Sequence, residues 1–138
     1  MQKMTIVVHS GDLDKFMSAL IIGNGVLAMG GQATLYFTFW GLERLVKGKL
    51  EKAPLSRMNF FGLGSLMMRR KMKKMGVASP RRLIDDFRAL GGKVIACEMT
   101  MEMLGISSAD LDTSLIDTFG AVGMYVKETE TSDKTLFI

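Results

Sequence analysis

The sequence contains one cysteine, one histidine, one tryptophan and two prolines. A lone cysteine cannot close an internal disulfide, so a stapled secreted framework is excluded and a reducing, cytoplasmic setting is expected. One Cys and one His are too few soft ligands for a transition-metal centre. No carboxylate cluster or glycine-rich phosphate fingerprint stands out, so neither a metal nor a cofactor is expected. Long apolar runs are also missing. Residues 16–29 are interrupted by Ser18, Gly23, Asn24 and Gly25 and are too short and broken to span a bilayer. Met4 to Val8 meets His9, Ser10, Gly11 and Asp12 too soon to serve as a signal peptide. Finally, acidic residues are absent between Glu51 and Asp85.

What is present describes a globular α/β chain. Hydrophobic residues make up 48% and charged residues 23%, a balance suited to a packed core rather than to disorder. A length of 138 residues suits one domain. The 13 methionines exceed ordinary usage, and Met both fills core gaps and covers adaptable surfaces. The net charge is +4. Half of the cations lie in the window without acids: Lys52, Arg57, Arg69, Arg70, Lys71, Lys73, Lys74, Arg81 and Arg82. A field of that sign attracts anions.

Met4 to Val8 reads as a buried first strand. The stretch from Asp12 to Met29 has helical period, with Ser10 or Asp12 as cap and Gly30-Gly31 as its stop. Ala33 to Phe39 reads as a second strand, which makes a right-handed βαβ unit. Residues 42–76 form a Met/Lys/Arg-rich insertion, with a helix expected over Leu66 to Met75. Ser79 and Pro80 open another helix. Lys93 to Cys97 is a third strand, Glu98 to Leu104 a short helix, and Ser108 to Leu111 a further helical start. Ala121 to Val126 reads as a strand, and Thr135 to Ile138 as a final strand or an arm on another subunit. The alternation predicts a three-layer α/β/α sandwich with a mainly parallel five-stranded sheet. Ligands in such sheets bind beyond the carboxyl ends of the strands. That edge should collect residues 9–12, 40–42, 97–99 and those after Val126.

Cys97 is the sharpest chemical candidate. It ends a strand just before a helix, where free backbone N–H groups favour the thiolate; the structural alternative is a packed, inert thiol. His9 ends the first strand on the same edge and is a candidate assisting group or simply a strand-end imidazole. Ser10 and Gly11 before a helix are candidate anion-binding residues, with plain capping as the alternative. Arg69, Arg70, Lys73 and Lys74 form a candidate surface for an anion or a partner, or a solvated helix face. Ordered aromatics of the kind that stack bases are missing there, so nucleic acid is not an expected partner.

With Cys97 placed, four elements resemble the DsrE/DsrF/DsrH-like family, and within it the small proteins often labelled peroxiredoxin-like. They are residues 9–15 (HSGDLDK), 37–42 (FTFWGL), 59–64 (NFFGLG) with the Met/Lys tail, and 95–101 (IACEMTM) followed by Leu104-Gly-Ile106. The resemblance covers nearly the whole chain and implies a single DsrE-like domain over residues 1–138. It implies a parallel five-stranded sheet, homo-oligomers, and cytoplasmic sulfur trafficking in which the family's cysteine falls on Cys97. It further implies rhodanese-like and TusA-like sulfur carriers as partners, and a relay that carries sulfur as a persulfide or thiosulfonate, sulfurtransferase-like in chemistry and closer to a carrier than to a turnover enzyme. Peroxidase chemistry is not implied, because no second cysteine stands ready to resolve a sulfenic acid. The alternative from another class is a non-catalytic module that docks on a membrane surface or an acidic protein through the basic Met-rich segment.

Overall fold

The computed structural model describes residues 2–138. In chain order its main elements are β1 (Lys3–Val8), α1 (Leu13–Ala28), β2 (Gln32–Phe37), α2 (Phe39–Leu42), α3 (Leu63–Lys74), α4 (Pro80–Ala89), β3 (Lys93–Cys97), α5 (Glu98–Leu104), β4 (Thr118–Gly120), α6 (Val122–Glu130) and β5 (Lys134–Phe137). The five strands form one sheet in the order β4-β3-β2-β1-β5, and every pairing is parallel. The expected α/β architecture is therefore present. Among the described residues no helix is long and apolar enough to cross a membrane.

The strand order dictates the layers. From β1 through β4 the chain moves one way across the sheet, and from β4 to β5 it returns past β1. Right-handed crossovers made in opposite directions put their helices on opposite faces. On one face α1 and α4 cover a large core that includes Phe16, Leu20, Leu35, Phe37, Ile84 and Phe87, each fully buried. Truncating one of those rings would cost about 3–5 kcal/mol. The other face is thinly covered. It buries Val7, Tyr36, Ile95 and Cys97 under the half-buried Met124 and Tyr125 of α6, a helix with no buried residue of its own.

Several boundaries differ from the sequence reading. Ala121 to Val126 is not a strand: Ala121 caps α6, and the preceding strand is only Thr118–Gly120, too short for a period-2 pattern to register. Residues 127–130 consequently lie within a helix rather than on the carboxyl edge, and of the residues after Val126 it is Ile138, following β5, that reaches that edge. The second strand ends at Phe37, because Phe39 takes a left-handed φ of 46° and starts α2. Ser108 to Asp110 form a turn, and Leu111 bridges antiparallel to Val46. Asp12 occupies the cap of α1 but makes no side-chain cap bond, whereas Ser79 accepts from Arg82 N–H as a cap should. The last strand pairs with β1 of the same chain. The basic segment is ordered as a turn and α3, which begins three residues before the predicted helix.

Candidate functional site at Cys97

Strand alternation places the thiol. Thr34, Tyr36 and Thr38 project to one side of the sheet, while Ala33, Leu35 and Phe37 project to the other. Cys97 and Ile95 of β3 share the side of Tyr36. Cys97 ends β3 and caps α5 at once, since the strand stops where the chain turns into Glu98–Leu104. Its register partner on β4 is Gly120. A Cβ on that glycine would meet the Met124 sulfur at 2.6 Å, so the missing side chain lets α6 close over the thiol's side of the sheet.

Cys97 is 2% exposed, but the surroundings of its sulfur are hydroxyls as well as hydrocarbon. Thr100 lies one helical turn beyond Cys97 and is fully buried. Its Oγ1 sits 3.0 Å from Thr38 Oγ1 and accepts the Phe39 N–H at 3.1 Å. With an acceptor site of the Thr100 hydroxyl occupied by Phe39, its proton is available to Thr38 or to the sulfur. Burial pushes the Cys97 thiol up. The Thr100 side chain, the Tyr36 hydroxyl, the Thr100 backbone N–H and the Thr38 hydroxyl pull it down more strongly, so it stands below the ordinary thiol value. Cys97 makes no side-chain cap bond to α5, and the Tyr36 oxygen is buried without a regular hydrogen-bond partner among the described residues. Tyr36 is itself pushed well above the usual phenol value, first by burial and then by the thiol beside it. It remains a proton donor at any physiological pH.

The other sequence candidates fall in two further places. His9 is on the carboxyl edge but follows β1, with β2 between that strand and the β3 that carries the sulfur. Its ring stacks on Phe39 at 5.1 Å and lies 5.2 Å from Phe137, and its backbone N–H donates to Ile138 O. No hydrogen bond joins it to Cys97 among the described residues. Ser10 also donates its N–H to Ile138 O. Gly11 passes so close to Trp40 that a Cβ would meet the Trp40 oxygen at 2.4 Å. His9, Ser10 and Gly11 line a cavity of about 430 Å³ with Lys15, Arg44 and Trp40, at the end of β1 where the strand order reverses. Arg69, Arg70, Lys73 and Lys74 are all on α3. Arg69 donates to Ala53 O, while Arg70, Lys73 and Lys74 are exposed.

Sequence reasoning alone does not single out Tyr36, Thr38 or Thr100. The alternation of polar and apolar residues from Ala33 to Phe39 carried the signal for two of them, and the third position after a strand-ending cysteine carried the signal for Thr100. Among the described residues no cluster of three or more His, Cys, Asp or Glu could hold a metal ion.

The model of the DsrE/DsrF/DrsH-like family matches residues 1–53 and 43–137. The uncharacterized protein YrkE of Bacillus subtilis is 34% identical over an aligned length of 157, covering 99% of this chain and 97% of YrkE. The sulfur carrier protein DsrE2 of Allochromatium vinosum is 28% identical over 130, covering 79% of this chain and 82% of its own. Among solved structures, the ychN protein of E. coli superposes with a TM-score of 0.67 at 17% identity and full coverage of both chains, which shows a shared fold. The family model covers nearly the whole chain, and YrkE is alike over nearly the full length of both proteins: the chain belongs to the DsrE/DsrF/DrsH-like family.

Proposed function

We propose that the protein is a sulfur carrier that accepts sulfane sulfur on Cys97 and relays it to an acceptor thiol. Family membership and the similarity to a relative named a sulfur carrier support a sulfur-related role. The observation that carries the finer reading is the hydroxyl-lined setting of Cys97, which favours a sulfur anion while excluding bulk water.

Each step is an exchange at sulfur. The Cys97 thiolate attacks the outer sulfur of a donor persulfide; a Cys97 S–S bond forms, the donor S–S bond breaks, and the donor leaves as a thiolate that takes up a proton. An acceptor thiolate then attacks the outer sulfur and releases Cys97 as the thiolate. No net oxidation occurs, so one cysteine suffices. Thr100, Thr38 and Tyr36 stabilise the anion before the first step and after the second. His9 makes no hydrogen bond to the sulfur among the described residues and acts, in this reading, by stacking on Phe39, whose N–H is held by Thr100. Because α6 has no buried residue, its displacement is the route by which a donor reaches the thiol. The partners called for are rhodanese-like and TusA-like carriers. Further copies of the chain are called for as well, with the exposed Val122 and Val126 of α6 and Phe137 of the edge strand β5 as apolar contacts.

The test is intact mass after incubation with a small-molecule persulfide. The wild type gains one sulfur atom, and an acceptor thiol removes it. A sulfane adduct that persists in Cys97→Ser, or a wild type that takes up none, would overturn the assignment.

A further inference from the structure

None of the residues around Cys97 belongs to residues 58–77, yet that segment is the most exposed apolar and most basic part of the molecule. We propose that α3 and the turn before it dock the protein on an anionic lipid surface, with Phe60 and Phe61 entering the headgroup region and the cations of α3 meeting the phosphates.

The charge is uncompensated. Arg81 and Arg82 of the basic window are paired with Asp85, Asp112 and Asp86. No ion pair joins Arg70, Lys71, Lys73 or Lys74 to an acid among the described residues, and all four are exposed. Neutralising them is left to something outside the chain.

The apolar tip is built rather than loose. Phe61 is 109% exposed and Phe60 65%, while Leu63 and Met67 are more than half exposed. Met58, Phe60 and Phe61 hold left-handed φ values of 57°, 45° and 57°, which bulky residues adopt only where the surroundings impose them. The surroundings do so here. Asn59 O accepts from Gly62 and Gly64 N–H, and Asn59 Oδ1 accepts from Leu55 N–H. Gly64 packs so tightly that a Cβ would meet Met58 O at 1.8 Å. Ser65, itself buried, and Arg69 both donate to Ala53 O and fix the first turns of α3 to the body. Two aromatic rings are therefore held away from the core by a firm turn.

The two properties are separated along the helix axis. Phe60, Phe61, Leu63, Leu66 and Met67 are at the start; Arg70, Lys71, Lys73 and Lys74 follow. Leu63 to Arg70 spans about 10 Å at 1.5 Å per residue, close to the ~5–10 Å depth at which interfacial apolar groups sit below lipid phosphates. A side chain as exposed as Phe61 touches little of its own body, a presentation that suits a fluid, anionic phase better than a preformed protein pocket.

The full chain would be floated with phosphatidylcholine vesicles, with and without one third phosphatidylglycerol. Binding to the anionic vesicles alone is expected, falling as salt is raised. Replacing Arg70, Lys71, Lys73 and Lys74 by Gln should weaken it on the order of 100-fold. Phe61→Ser with Phe60→Ser should weaken it about 10-fold or more without altering the fold, since both rings are exposed. Cys97→Ser should bind as the wild type does, which separates this proposal from the sulfur-carrier reading. Equal flotation with neutral vesicles, no flotation with anionic ones, or an arm that drives only self-association or retention by an acidic protein would each overturn it.

Discussion

The hydroxyls of Thr38 and Thr100 lie 3.0 Å apart, both buried, at the point where the end of β2 meets the first turn of α5. This contact spans 62 residues of sequence and ties the left-handed Phe39 to the helix that Cys97 caps. The acidity of the thiol thus depends on residues from two crossovers.

Thr100→Val keeps the shape but removes the hydroxyl. A hydrogen bond to an ionised group is worth about 1.5–3 kcal/mol, so the thiolate is disfavoured and iodoacetamide alkylation at neutral pH should slow by roughly 10-fold. The wild-type pH–rate midpoint should lie below that of a free cysteine and move upward in the variant. The Phe39 N–H also loses its acceptor, at a cost of about 1–2 kcal/mol in thermal or urea unfolding.

Tyr36→Phe separates stability from reactivity. The Tyr36 hydroxyl is buried without a regular partner, so its removal should leave stability unchanged or raise it by up to about 1 kcal/mol. The same change removes a group that lowers the Cys97 thiol, so alkylation at neutral pH should slow. A variant that is less stable yet equally reactive would show that the hydroxyl has no part in holding the anion.

Glu128 links α6 to three strands at the amino edge of the sheet. It pairs with Lys93 at 2.8 Å and Lys3 at 3.1 Å, and accepts from the Thr34 hydroxyl at 3.3 Å. Burial pushes its carboxyl up, but the hydrogen bonds from Lys93 and Lys3 and their charges bring it below its ordinary value of 4.5. A depressed carboxyl stabilises the fold above the unfolded value and loses that contribution as pH falls through the folded one. Glu128→Gln should therefore cost about 1–2 kcal/mol at neutral pH, with the gap closing below pH ~4 in urea titrations. Because α6 covers the thiol's side of the sheet, the variant should also react faster at Cys97.

Gly41→Ala tests the seat of α2. A Cβ there would meet Val8 O at 2.1 Å, and Gly41 N–H donates to His9 O and Thr38 O. The clash is with backbone, so a loss of about 2 kcal/mol or more in unfolding is expected. Thr38 should shift with it and carry Cys97 reactivity along.

The sequence carried the frame of this molecule legibly. Lys93–Cys97 and Glu98–Leu104 fall where β-branched residues, a strand-ending Cys and a run of helix formers put them. Ser79 and Pro80 announced α4 through capping chemistry that acts within one turn. Where reading failed, the signal was short or overridden. Ala121 to Val126 has strand-like composition, but Gly120 admits Met124 beside the sheet and the segment winds into a helix whose Met124 and Tyr125 cover Ile95 and Cys97.

By itself, then, the sequence determined the alternating elements, the placement of the lone thiol at a strand end and the concentration of cations in one window, because these follow from periodicity, local capping and charge count. Only the tertiary structure decided that Tyr36, Thr38 and Thr100 surround that thiol, that His9 stacks on Phe39 instead of reaching it, and that Phe60 and Phe61 stand away from the core. Thr100 apart, one turn beyond Cys97 on the helix it caps, those outcomes depend on which distant segments the parallel sheet brings side by side, and no local pattern in the chain encodes that proximity.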